Sequence, residues 1–149
     1  QRRVLMLSSL IFAASFLLCA LDFRFGWSAV PAWLSTVGCV VFLLAYAGFA
    51  ELLRENEYLS RSVELQAGQK VVSTGMYGIV RHPMYAVIIW LFLSMPLILG
   101  SYIGLIPLAF IPYVLVKRLL NEEKLLRGGL DGYDEYMQKV RYRLIPFVW

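Results

Sequence analysis

The segment Gly75–Val87, GMYGIVRHPMYAV, sets Arg81, His82 and Pro83 side by side between Tyr77 and Tyr85, at the edge of a run apolar enough to dissolve in lipid. His82 is the only histidine in the chain. Farther on, Glu122 and Glu123 stand together, and Tyr133, Tyr136, Arg141 and Arg143 follow. This set offers both signs of charge and several aromatic faces. It suits a ligand with a zwitterionic end and a planar ring, because guanidinium groups grip carboxylates through paired hydrogen bonds. Singly, each residue has a plainer reading. Arg81 beside an apolar run is a topological anchor or a phosphate contact. His82 before Pro83 is a helix start. The two glutamates form a solvated helix face, and the tyrosines belong to an interfacial belt. The chemical reading depends on whether the chain brings them to one level.

The elements that would do so are membrane spans. Of the 149 residues, 60% are hydrophobic and 16% charged, and the mean hydropathy is +0.67, far above that of an ordinary soluble domain. Four apolar segments stand out: 4–21, 31–53, 84–99 and 101–116. Each approaches the roughly 20 residues that a helix needs to cross a hydrocarbon core of about 30 Å. The expected fold is an all-α integral membrane protein of about four transmembrane helices. A loop, 54–83, and a tail, 117–149, lie on one side, and the whole forms one domain, 1–149. The first run is too long for a signal-peptide core and reads as a true span. Segments 84–99 and 101–116 meet at Gly100-Ser101 and form a helical hairpin, bent by Pro96, Pro107 and Pro112. The last span continues through KRLLNEEKLLR to the Gly128-Gly129 pair, and a short helix capped by Asp131 follows. The closing RYRLIPFVW lies along the membrane with Phe147 and Trp149 at headgroup level. Gly100 and Gly104 form a G-x-x-x-G pattern that serves the hairpin turn.

With the N-terminus in the cytoplasm, only Arg24 of the fourteen Lys and Arg residues falls outside. The net charge of +4 is then a membrane-surface feature, matched to anionic lipid heads and giving no ground for nucleic-acid binding. The loop carries Glu55, Glu57, Arg61, Glu64 and Lys70, then KVVSTGMYG, which argues against a continuous helix. Cys19 and Cys39 lie in apolar spans as small buried hydrophobes, without metal-ligand or redox spacing.

The hairpin joins the two halves of the motif. His82 lies about eighteen residues before Gly100 and Arg118 about eighteen after it, so Glu122 and Glu123 project roughly 6 Å beyond that level. Arg81, His82, Glu122 and Glu123 should share one rim, flanked by Tyr77 and Tyr85, with Tyr133, Tyr136, Arg141 and Arg143 folding back over it. An oily co-substrate would enter from the bilayer through the cleft below.

In this order and around such a hairpin, GMYGIVRHPMY (75–85), NEEKLL (121–126) and GYDEYMQKVRYRLIP (132–146) resemble the isoprenylcysteine carboxyl methyltransferase family and related membrane phospholipid methyltransferases. The resemblance covers 51–149. LDFRFGWS (21–28) and the loop preceding Gly75 are similar to the family's bacterial branch. The resemblance implies an S-adenosylmethionine pocket formed by Tyr77, Arg81, His82, Pro83, Tyr85, Glu122 and Glu123, with Tyr133 and Tyr136 closing it. Two positions depart from the family's habit: Met76, where many members have Pro, and Val87, where Gly is common.

A methyl donor of that kind is already activated, so the protein must align it with the acceptor and exclude water. A carboxylate acceptor is ionised at neutral pH and needs only positioning, for which Arg141 and Arg143 are candidates. An amine acceptor needs a base, and Glu122, Glu123 or His82 would serve. The basic tail favours the anionic acceptor. The partners expected are membrane lipids and a lipophilic acceptor, with the site facing the cytoplasm of a bacterial inner membrane. Two other classes fit less well. Sterol reductases share a similar RHP region for a nicotinamide cofactor but need more spans, and a non-enzymatic membrane scaffold would leave the rim without a ligand.

Overall fold

The computed structural model describes residues 2–58 and 68–149. Arg61 and Glu64, counted above among the loop charges, lie outside the described residues. Six α-helices follow one another, and no strand occurs among the described residues: α1 Arg2–Phe25, α2 Ala32–Glu55, α3 Pro83–Ile98, α4 Leu105–Leu108, α5 Ile111–Gly129 and α6 Tyr133–Lys139. Uninterrupted apolar sequence makes α1 and α2 long, at 24 residues each. At about 1.5 Å per residue that is enough for a bilayer core. These two satisfy the length and composition of a membrane span, whereas α3 is apolar but only 16 residues long.

Helix α2 packs along α3, and small residues set the approach. A Cβ on Gly38 would lie 3.2 Å from Leu97 Cβ and 3.4 Å from the Ser94 carbonyl, while Ser35 Oγ donates to the Leu97 carbonyl at 2.9 Å. Val87 fits here too, since Gly48 of α2 leaves room for its Cγ2. On its other side α3 meets α4 and α5, against which α1 also packs. Tyr85, Leu108, Ile111, Leu115, Leu119 and Leu144 form the buried centre of this layer.

The chain reverses after α3, where Gly100 takes a φ of +78° that a side chain would strain. Asp22 ties this reversal to the end of α1. Its carboxylate accepts from Ser28 N at 2.6 Å and from the hydroxyls of Ser28 and Ser101, both at 2.5 Å. Gly104 sits so close to α1 that a Cβ would lie 2.2 Å from Cys19 Sγ, and its carbonyl accepts from Ser15 Oγ at 2.7 Å. The second glycine of the G-x-x-x-G pattern therefore serves a helix contact as well as the turn.

Several expectations change. The run 101–116 is not one helix: Pro107 lies in the short α4, and Pro112 falls in the first turn of α5, where a missing N–H costs nothing. Gly132, not Asp131, occupies the cap position before α6, with no side-chain cap bond. Cys19 is buried, but Cys39 is exposed on the outer face of α2.

Candidate functional site

The site is built where the open ends of α2, α3 and α5 meet the tail. The last residue of α2, Glu55, accepts from Met76 N at 3.2 Å, and Asn56 Nδ2 donates to Tyr77 Oη at 3.0 Å. These bonds hold the 3-10 turn Gly75–Gly78 against α2 and bury Tyr77. Arg81 and His82 then pass beside the tail. Arg81 N donates to the Tyr142 carbonyl and His82 N to the Arg143 carbonyl, each at 2.9 Å. Pro83 opens α3 and lets the chain turn from that pairing into the helix.

Glu123 ties these pieces together. Its Oε1 accepts from Arg81 Nε at 2.8 Å and lies 3.3 Å from His82 Nε2, and its Oε2 accepts from Arg143 Nε at 2.9 Å. Arg81 also donates to the carbonyls of Val140 and Arg141, at 2.9 and 2.8 Å. Arg81, His82 and Glu123 are all nearly inaccessible, so their pairing is a condition of burial. Burial alone would raise the Glu123 carboxyl, but hydrogen bonds from His82, Arg143 and Arg81 outweigh it and bring the pKa down to about 2.

Beside this clamp lies a cleft that opens to solvent. Tyr77, Arg81, His82, Tyr85, Glu122, Tyr133 and Tyr136 all line it. Tyr85 Oη donates to Glu122 Oε2 at 2.5 Å and accepts from Arg118 Nε at 3.1 Å, so a cation, a phenol and a carboxylate form one chain along the wall. Tyr136 Oη donates to the Tyr77 carbonyl at 2.7 Å. Burial pushes the Tyr77, Tyr133 and Tyr136 phenols upward, so each keeps its proton at neutral pH. The Tyr133 hydroxyl, on a residue only 4% exposed, has no hydrogen-bond partner among the described residues. An unpaired buried hydroxyl costs about 1–3 kcal/mol, so this one is suited to meet a ligand.

The rest of the predicted set lies elsewhere. Pro83 and Glu123 sit behind the cleft wall. Arg141 is exposed and contributes its carbonyl to Arg81, while Arg143 braces Glu123 and stands 5.2 Å over the Trp149 ring. Neither arginine lines the cleft, so their position is that of buttresses rather than of grips on a bound molecule. Arg118, which the sequence marked only as a depth reference, joins Arg81 among the cations of the lining. Asn56 and Lys70 line it too, along with Val71, Leu126 and Leu130. A polar residue after a long helix and a loop lysine carry no sequence signal that would single them out.

Fold and site thus define a helical membrane protein with an aromatic, charged cleft at one end of its bundle. The chain belongs to the isoprenylcysteine carboxyl methyltransferase (ICMT) family, whose model matches residues 36–128. The structure is similar to that of the eukaryotic intramembrane Ras methyltransferase ICMT, with a TM-score of 0.73 at 21% identity, over 95% of this chain. At that identity the likeness is one of fold. The chain spans about half the length of that protein, 52% of it.

Proposed function

We propose that this protein transfers a methyl group from S-adenosylmethionine to a lipophilic acceptor at the cytoplasmic face of a bacterial inner membrane. The acceptor class is a carboxylate of the isoprenylcysteine type. Family membership supports the reaction class, and the observation that carries the donor assignment is the cleft itself. It sets the Glu122 carboxylate and the Tyr133 hydroxyl, unpaired among the described residues, among tyrosine rings and apolar walls. These residues fit the donor. Glu122 offers charge to a cationic or ammonium group, Tyr133 offers a hydrogen bond without losing one, and Tyr77 and Tyr136 offer ring faces beside Val71 and Leu130.

Bound there, the donor would supply an electrophilic methyl to a carboxylate oxygen, the new C–O bond forming as the C–S bond breaks, with sulfur keeping the electron pair and the two charges cancelling. The chain's own residues hold and exclude. The Glu123 clamp keeps Arg81 and His82 fixed in the wall, and the Tyr85 hydroxyl, bonded to both, orients Arg118 and Glu122. Of the lining cations, Arg118, bonded to Tyr85, orients an anionic acceptor in this reading. A second reading, N-methylation of a phospholipid amine, rests on Glu122, whose carboxylate in the lining would take the proton. The four-span arrangement remains part of this proposal, with α3 and the α4–α5 arm as the third and fourth crossings.

The test is retention of labelled S-adenosylmethionine by the purified protein, followed by mass spectrometry of a panel of prenylcysteine acids and phospholipid amines. Binding lost in Glu122→Ala and His82→Ala, with a methyl ester as product, is the expected result. Full retention in both variants would remove the cleft as the donor site.

A further inference from the structure

The closing turn of the tail plays no part in the chemistry above. Leu144 N and Ile145 N both donate to the Trp149 carbonyl, at 2.9 and 3.0 Å, and Trp149 N donates to the Ile145 carbonyl at 3.1 Å, so residues 144–149 close on themselves. The inner side of this turn is anchored. Leu144 is buried among Tyr85, Leu115 and Leu119, and Trp149 packs against the same cluster. The outer side carries Ile145, Phe147 and Val148, and Phe147 is 87% exposed. Phe147 is also the one non-glycine residue with positive φ, +65°, among the described residues. The backbone is thus held in an unfavourable conformation that points an aromatic ring outward. The Tyr142 ring supports it from 5.5 Å.

The level of the turn is set by the bonds already described. Arg81 N and His82 N hang from the carbonyls of Tyr142 and Arg143, so the turn lies where apolar α3 begins. Lys139 and Arg141, which precede it in the chain, are exposed. An apolar tip following exposed cations matches the layered chemistry of an anionic membrane surface. Trp149, expected from sequence at the headgroups, is instead turned toward the cluster, leaving Phe147 as the outward aromatic.

We propose that residues 145–148 form a membrane-inserting finger. Ile145, Phe147 and Val148 enter the interfacial layer of the leaflet in which α3 starts, and Lys139 and Arg141 engage the headgroups of anionic phospholipids. Because Tyr142 and Arg143, just ahead of the finger, accept the backbone bonds of Arg81 and His82, its seating sets the height of the cleft relative to those headgroups. This inference does not depend on which methyl acceptor is used or on the donor binding at all.

The test uses the full chain in nanodiscs of mixed phosphatidylcholine and phosphatidylglycerol, with a nitroxide on Phe147→Cys in a Cys39→Ala background. Collisions with an aqueous nickel chelate and with oxygen then report depth. The label is expected about 5–10 Å below the headgroup surface. It should be shielded from the chelate several-fold more than a label on Glu135→Cys of α6, and shallower in pure phosphatidylcholine. Equal chelate access at both positions would overturn the proposal, as would dipolar broadening that places a second copy of the chain against Phe147. Hydrogen exchange on the unsubstituted chain gives an independent reading. Slower exchange of 144–149 in anionic than in neutral discs is expected, and identical rates would count against the finger.

Discussion

Replacing Glu123 by Gln isolates the clamp that holds the site together. The carboxylate receives Arg81, His82 and Arg143 on two oxygens, while Arg81 and His82 are 6% and 5% exposed. A glutamine has one acceptor oxygen. Whichever way its amide turns, an N–H faces a donor, and the buried Arg81 charge loses its counter-ion. Breaking a buried pair by removing one partner costs about 3–5 kcal/mol. The titration of the group gives a similar figure. A carboxyl held at about 2 against an ordinary 4.5 represents about 3 kcal/mol. The sign follows from the downward shift: this stabilisation is complete above about pH 4.5 and is lost as the pH falls toward 2. For a chain of this length, 3 kcal/mol corresponds to about 6–12 °C in melting temperature. The measurement is thermal unfolding in a fixed detergent, followed by tryptophan fluorescence, for both proteins at pH 7 and near pH 2.5. At pH 7 Glu123→Gln should melt lower by that margin, and at pH 2.5 the two curves should approach each other. A variant melting within about 2 °C of the parent at pH 7, or a gap unchanged by acid, would refute the clamp.

The remaining predictions separate binding from stability. Tyr133→Phe removes a hydroxyl without a partner among the described residues, so the melting temperature of the ligand-free protein should hold or rise while S-adenosylmethionine affinity drops about 2- to 10-fold by calorimetry. Unchanged affinity would take Tyr133 out of the donor site. Gly104→Ala drives a methyl into Cys19 Sγ and should cost about 1–3 kcal/mol, most of it restored by Cys19→Ala in the same chain. Absence of rescue would mean that another contact limits Gly104. Asp22→Asn weakens the bonds from Ser28 and Ser101 at the far end of the bundle and should cost about 1–3 kcal/mol in chemical unfolding. Its donor affinity should match the parent's, and a large loss of binding would show that the two ends are coupled.

Periodicity had little to say in this chain, and apolar run length had much. Uninterrupted hydrophobic stretches are enough to specify α1 and α2, because a backbone in lipid must satisfy its own hydrogen bonds and a helix does so locally. The reversal at Gly100 and the polar end residues placed around it were legible for the same reason: equal counts on two antiparallel arms reach equal depth. The juxtaposition of Arg81, His82 and Glu123 is read from counting alone. The interruption of the returning arm between α4 and α5 was not, since Pro107 and Pro112 are equally compatible with a bent helix and with a fresh start.

Tertiary structure decided how the polar residues share their work. The sequence contains two adjacent glutamates with the same chemistry. Successive residues on a helix point about 100° apart, so Glu122 faces the cleft while Glu123 turns behind it into the buried arginine. Likewise Arg118, Arg141 and Arg143 are alike in type, and only the return of the tail along Arg81 and His82 makes two of them buttresses and leaves the first in the lining. Residue type and depth are properties of the chain, but direction around a helix axis acquires meaning only when a neighbouring element packs against one side of it.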